Sequence, residues 1–288
     1  MMTTRTHNSK QRTAAHIMGR ALPALLLFFM VARPALAQPE YRPPAFLDDI
    51  GVDEKLGDTL PLDLVFQNEA GEDVKLGDYF DGERPVMLQF VYLTCTTMCN
   101  LHLQEVTRTL SEMEWVPGGE FDVLTISFDP AEDAQIAAAQ KQAYVNRLGK
   151  PEAAAGWHFL TGSEASIQAL TEATGFKFVW LPEVEEFAHA ASLIFMSGEG
   201  MISRYIHGML MPPRDVRFAL LEASEGKIGT TVDQILLFCY QYDPLANSYV
   251  IHATNLMKMA GLLTVLVLGG ILLVFWRRER RDLDAATA

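Results

Sequence analysis

Apolar positions fall into two kinds of run along the chain. Near each end lies an unbroken apolar block, and between them shorter runs switch repeatedly between strand-like and helix-like spacing. Pro85 precedes a mostly apolar stretch, residues 86–92, with the length and composition of a strand buried on both faces. Residues 99–113 then take helical spacing, which predicts that Leu101, Val106, Leu110 and Met113 share one face. A second strand is predicted over 121–128. A helix follows over 134–148, ended by Gly149 and Pro151. A short strand over 157–160 leads to a helix capped by Ser163, running to Thr174 and ended by Gly175. Residues 191–196 and 201–206 read as strands about the turn at 197–200. Pro212 and Pro213 open a helix reaching about Ser224. Ahead of all these, residues 62–66 and the turn at 68–71 predict a hairpin. Such alternation implies a layered α/β domain with a mixed sheet over 61–225. An extended arm over 38–60 precedes it, and a connector over 226–256 follows.

The end blocks differ in kind. Arg5, Lys10, Arg12 and Arg20 form a basic region, and residues 21–32 are uncharged and apolar. Ala35-Leu36-Ala37 offers small residues at a cleavage position. Twelve helical residues rise about 18 Å, short of a hydrocarbon core of about 30 Å. Residues 1–37 are therefore expected to be a cleaved export signal. Residues 259–276 carry no charge, and Arg277, Arg278, Arg280 and Arg281 follow at once. A membrane-spanning helix is expected over 257–276. The basic tail, 277–288, would lie on the cytoplasmic side and the bulk of the chain outside the cytoplasm.

Composition narrows the classes. The 288 residues are 49% hydrophobic and 20% charged, which excludes wholesale disorder, collagen and a coiled-coil rod. The net charge of −13 argues against general nucleic-acid binding, which needs Lys and Arg for phosphates. Residues 38–256 alone hold 13 Lys and Arg against 33 Asp and Glu, a net of −20. Three cysteines are too few for a disulfide scaffold.

Two of those cysteines, Cys95 and Cys99, lie where the first buried strand gives way to the first helix. A thiol there feels unpaired backbone N–H groups and the positive end of the helix dipole, which favour the thiolate. Three uses remain open on this spacing: a structural disulfide, a redox-active dithiol, or a soft-metal site. Zinc would want four ligands. Copper needs fewer, and one imidazole would complete a three-coordinate site. His189, in a loop before the strand at 191–196, is the first candidate, and His102, three residues past Cys99, is its rival. His158, His207 and His252 have blander readings, as does Cys239, a partly buried thiol among apolar neighbours. Asp129 and Asp133 read best as caps of the following helix.

Four stretches in register give a resemblance. They are Phe90-Val91-Tyr92-Leu93-Thr94-Cys95-Thr96-Thr97-Met98-Cys99, Ser127-Phe128-Asp129-Pro130 with Asp133, Trp157-His158-Phe159-Leu160-Thr161-Gly162, and His189. Over roughly residues 60–225 the chain resembles the Sco (SenC-like) copper-binding assembly factors of cytochrome c oxidase. The resemblance implies a thioredoxin-like mixed sheet flanked by helices. It also implies one copper ion, Cu(I) or Cu(II), held by Cys95, Cys99 and His189. The implied role is a membrane-anchored periplasmic copper chaperone of the bacterial inner membrane, supplying the CuA centre of oxidase subunit II. Another periplasmic copper donor or a thioredoxin-like reductant would be a further partner. The alternative is a thiol-disulfide oxidoreductase, with Cys95 and Cys99 as catalytic dithiol, that reduces the target's cysteines before metallation. The chain departs from the family pattern in three ways. Asn100 stands where Pro is usual after the second cysteine. Ala188 stands where Asp usually precedes the histidine. The expected anchor is C-terminal, whereas many members carry theirs at the N-terminus.

Overall fold

A computed structural model describes residues 50–95, 98–225 and 229–286, without the side chains of Met98, Cys99, Thr231, Gln234 and 278–286. The expected export signal lies outside the described residues. The described residues form twelve strands: β1 (Gly51–Val52), β2 (Val65–Gln67), β3 (Asp73–Lys75), β4 (Val86–Val91), β5 (Asp122–Ser127), β6 (Trp157–Gly162), β7 (Phe176–Leu181), β8 (Glu186–His189), β9 (Ser192–Met196), β10 (Ile202–His207), β11 (Tyr240–Asp243) and β12 (Ser248–Ile251). Among the described residues, six α-helices accompany these strands: α1 (Met98–Glu112), α2 (Ala134–Leu148), α3 (Glu164–Thr174), α4 (Pro213–Ala223), α5 (Thr231–Cys239) and α6 (Ala253–Ala286).

Seven strands form the central sheet in the order β10-β9-β4-β5-β6-β2-β3. The β4–β5 and β5–β6 pairs are parallel and the outer pairs antiparallel, the expected thioredoxin-like mixed sheet. Every residue of β4, β5 and β9 is buried, as strands covered on both faces must be. Alternation splits their side chains between two cores. Met87, Val91, Val123 and Phe195, joined by Trp157 of β6, face α1, α2 and α4. Leu88, Phe90, Leu124, Ile126 and Ile194 face α3 and a separate three-stranded sheet, β1-β7-β8.

Local chemistry explains the helix ends. Asp133 accepts a hydrogen bond from Ile136 N at 3.0 Å and Ser163 one from Ser166 N at 3.2 Å, each cap worth about 1 kcal/mol. Gly149 and Gly175 end their helices in the left-handed region, at φ of 73° and 69°.

Two sequence expectations are corrected. Leu101 is not on the buried face of α1. It is 53% exposed, and Leu103 joins Val106, Leu110 and Met113 in the core instead. His189 is not in a loop: it ends β8, paired antiparallel with β7. The stretch before the apolar C-terminal helix carries α5 and the β11–β12 hairpin. Tyr242 and Tyr249 of that hairpin are buried, and the Tyr249 hydroxyl donates to Glu222 of α4 at 2.6 Å. Within α6, Ala253–Arg277 is 25 residues long with a mean hydropathy of 2.4, long and apolar enough to cross a membrane.

Candidate metal centre

The cysteine stretch leaves β4 at Val91 and enters α1 at Met98. Between them, Leu93-Thr94-Cys95 is held by one buried carboxylate. Glu132 accepts from Leu93 N at 2.9 Å and Thr94 N at 2.6 Å, and the Ser127 hydroxyl donates to it at 2.5 Å. On the opposite side of the loop, Gln140 Nε2 donates to Leu93 O at 2.8 Å, and Cys95 N closes a turn onto Tyr92 O at 3.1 Å. The Cys95 side chain is half-buried. Cys99 is the second residue of α1, and its side chain lies outside the described residues.

Asn100 does what Pro cannot. Its Oδ1 accepts from the Tyr144 hydroxyl at 2.9 Å and from Gln104 Nε2 at 2.7 Å, tying the first turn of α1 to α2. The departure from the family pattern therefore substitutes hydrogen bonds for a rigid ring.

His189 arrives from the β7–β8 hairpin. Its ring centroid is 5.0 Å from Phe128 and 6.1 Å from Phe176. Its Nδ1 lies 2.9 Å from Ala190 O. A carbonyl only accepts, so Nδ1 carries the proton and Nε2 holds the lone pair. The backbone thus orients the imidazole and fixes its tautomer. Burial pulls the His189 pKa below the usual imidazole value, and the Ala190 carbonyl partly offsets this.

Hairpin and cysteine segment meet where Tyr92, three residues before Cys95, packs edge-on against Phe187 at 5.5 Å. His102 lies one helical turn past Cys99 in α1. His102 is 2% exposed, and neither ring nitrogen has a hydrogen-bond partner among the described residues. Burial lowers its pKa to about 4, with His189 adding to the shift. Thiols and neutral imidazoles are the donor types that suit a soft or borderline cation, although no three His, Cys, Asp or Glu side chains among the described residues form a group that could hold a metal ion.

The other sequence candidates lie elsewhere. His207 Nε2 is 2.9 Å from Glu54 Oε1. His158 stacks at 4.6 Å on Tyr79, and the Cys239 thiol contacts Met259 Sδ at 3.4 Å. Trp157 Nε1 donates to Thr125 Oγ1 at 2.9 Å inside the core, so its stretch of the resemblance is architectural. Asp129 accepts from Ala131 N at 2.9 Å, a turn contact. Glu132, Gln140 and Phe128 were not singled out from the sequence. Glu132 is one of five acidic residues between 120 and 133, and no spacing marks it.

A family model described as SCO1/SenC matches residues 58–219. No curated protein matches. A solved structure of an Aquifex aeolicus protein, named as an electron transfer protein, superposes with a TM-score of 0.52 at 22% identity, over 59% of this chain and 94% of its own. That likeness shows the fold. BsSco, described as a member of the Sco family of cytochrome c oxidase assembly proteins, matches at 21% identity and a TM-score of 0.47, over 60% and 97% of the two chains. Copper-bound ScoI of Bradyrhizobium japonicum matches at 17% identity and a TM-score of 0.42, over 58% and 99%.

Proposed function

The chain belongs to the SCO1/SenC family, and from that membership we propose that it is a membrane-tethered copper chaperone. Its cargo is one copper ion, bound by Cys95, Cys99 and His189. The observation that supports the reading is the edge-on contact of Phe187, two residues before His189, with Tyr92, three residues before Cys95. Sulfur and imidazole together accept both Cu(I) and Cu(II).

The chain's own groups divide the work. Glu132 fixes the backbone two residues before Cys95, so the sulfur leaves a set frame. The Ala190 carbonyl keeps the His189 proton on Nδ1. Delivery is ligand exchange, in which target thiolates and imidazoles replace these donors one at a time. The receiving site is the CuA centre of cytochrome c oxidase subunit II. The apolar span Ala253–Arg277 anchors the chain in the inner membrane. The domain stands in the periplasm, and the arginines at 277, 278, 280 and 281 face the cytoplasm. Residues 1–37 are the export signal.

A second reading is favoured by the strand-to-helix position of the cysteine pair. In it Cys95 thiolate attacks a target disulfide, and Cys99 resolves the mixed disulfide. The target leaves as a dithiol and the Cys95–Cys99 pair is oxidised by two electrons. Incubating the copper-loaded chain with the reduced, copper-free CuA domain separates the two. The chaperone reading expects CuA absorption to grow as copper leaves this protein, and to be lost with Cys95→Ala. Reduction of an oxidised CuA domain without any copper transfer would favour the second reading.

A further inference from the structure

Helix α5 is apolar on two faces, and the folded domain covers one of them. Asp233, Leu237 and Tyr240 recur at helical spacing on the covered side. Leu237 and Tyr240 pack against the core that contains α4, and Asp233 pairs with Arg217 at 2.8 Å. Val232, Ile235, Leu236 and Phe238 lie on the outer side and are 41–63% exposed. Ile251 of β12, paired with Tyr240, extends this open apolar surface. Grouped exposed apolar side chains on a folded domain mark an interaction site rather than chance.

Chain connectivity identifies what lies against it. His252 N donates to Cys239 O at 2.8 Å, and Asn255 Nδ2 donates to Phe238 O at 2.8 Å. The Cys239 thiol contacts Met259 Sδ at 3.4 Å. The last turn of α5 is thus tied to the first two turns of α6. Met259 also opens the uncharged run that ends at Trp276. That run rises about 27 Å, close to the hydrocarbon thickness of about 30 Å. In a bilayer Met259 therefore stands at the hydrocarbon boundary, with the end of α5 beside it. The headgroup layer adds about 5–8 Å on each side, comparable to the depth of about 5–10 Å at which interfacial helices bury an apolar face. Charge agrees with this placement. Between Asp233 and Lys258, Asp243 is the sole Asp, Glu, Lys or Arg, whereas residues 38–256 as a whole carry a net of −20. This stretch has little charge to desolvate.

We propose that the outer face of α5 docks on the lipid bilayer that α6 crosses, with Val232, Ile235, Leu236 and Phe238 inserted among the headgroups. This rests on the membrane-anchored reading and deepens it. The domain is then seated on the bilayer surface at a fixed height instead of swinging on a free tether. Neutral apolar side chains need no anionic lipid, so phosphatidylcholine suffices as the surface.

Spin labels test the depth. The full chain, with Cys95→Ser, Cys99→Ser and Cys239→Ser, carries one nitroxide at a time on Ile235→Cys or Phe238→Cys in phosphatidylcholine vesicles. Electron paramagnetic resonance compares collisions with oxygen, which concentrates in lipid, and with a water-soluble nickel chelate. Labels on Leu266→Cys in the span and Leu101→Cys on exposed α1 mark the lipid and water limits. The oxygen-to-nickel ratio at 235 and 238 should lie well above that at 101 and towards that at 266. Ile235→Glu with Leu236→Glu should return the 238 label to the water limit while the 266 label stays in lipid. Labels at 235 and 238 at the water limit, with 266 in lipid, overturn the proposal and leave the anchor intact. Low access to both reagents at 235 and 238, the mark of a second copy or another protein on this face, overturns it as well. A 238 label unmoved by the two glutamate substitutions does the same. A 266 label at the water limit overturns the anchored reading and the docking with it.

Discussion

The segment carrying Cys95 and the hairpin carrying His189 meet at one place but are positioned by different forces. Around Cys95 the frame is polar: Glu132 takes two backbone N–H groups and a hydroxyl, and Gln140 grips the carbonyl of Leu93. Around His189 it is aromatic. Phe128 meets Phe178 at 4.8 Å and Phe187 at 5.4 Å, and Trp180 meets Phe187 at 4.8 Å. Hydrogen bonds are directional and fail abruptly when stretched. Ring packing is less directional and tolerates small slides. The backbone at Cys95 therefore sits on a fixed frame and the His189 imidazole on an arm with some play. In the proposed ligand exchange, the arm is the member able to leave first.

Removing the ring against which the arm packs should have the largest effect on stability. Phe128 is fully buried, and Phe128→Ala should cost about 3–5 kcal/mol. That loss would appear as a thermal midpoint lower by roughly 6–20 °C, together with weakened Cu(II) retention. Phe128→Leu should recover most of the stability but less of the Cu(II) retention, because the ring against His189 is gone. If Phe128→Leu restored both fully, aromatic packing would not be what sets the imidazole.

Glu132→Ala attacks the other frame. Leaving the N–H groups of Leu93 and Thr94 unpaired should cost about 1–3 kcal/mol. The effect should concentrate on the cysteines, with faster alkylation of Cys95 and backbone amide exchange rising at 93–95. The His189 resonances should hardly move. Equal disturbance of both regions would erase the distinction drawn between them.

Glu69 serves as a control outside both regions. Burial pushes its carboxyl up, but the neighbouring His158 ring and the ion pair with Lys141 outweigh this and hold it at about 2. With a folded pKa below the unfolded 4.5, its contribution is present above about 4.5 and lost as the pH falls towards 2. The amount is on the order of 1–3 kcal/mol. Acid unfolding of Glu69→Gln should be flatter across that window, while copper affinity at neutral pH is unchanged.

The smallest effect is expected from Asn100→Pro, which restores the residue usual in the family. Proline is tolerated in a first helical turn. The change removes the bonds to Tyr144 and Gln104, a loss of about 1 kcal/mol. Copper binding should survive, since the turn itself is kept.

Legibility in the sequence tracked burial. β4, β5 and β9 stood out because strands covered on both faces are continuous apolar runs. The helices over Ala134–Leu148 and Glu164–Thr174 were marked by Asp133, Ser163, Gly149 and Gly175. The β7–β8 hairpin was obscured because its sheet is half-exposed: Lys177, Trp180, Glu183 and Glu185 interrupt the alternation that a one-sided strand would show. His189 was therefore identified as a residue but read as part of a loop. Leu101 was assigned to the wrong face because α1 begins at Met98, where exposed and buried apolar positions are mixed. Glu132 and Gln140 act on backbone groups across the fold, through contacts 39 and 47 residues apart in the chain, which no local pattern encodes.

The central claim is that sulfur and imidazole from the two frames hold one copper ion. Anaerobic titration of the reduced full chain with copper, beside Cys95→Ala and His189→Ala, tests it most directly. The account predicts one tightly bound ion per wild-type chain, no tight binding in Cys95→Ala, and Cu(I) binding without Cu(II) retention in His189→Ala. Tight binding that survives Cys95→Ala, or Cu(II) retention indifferent to His189→Ala, would contradict it.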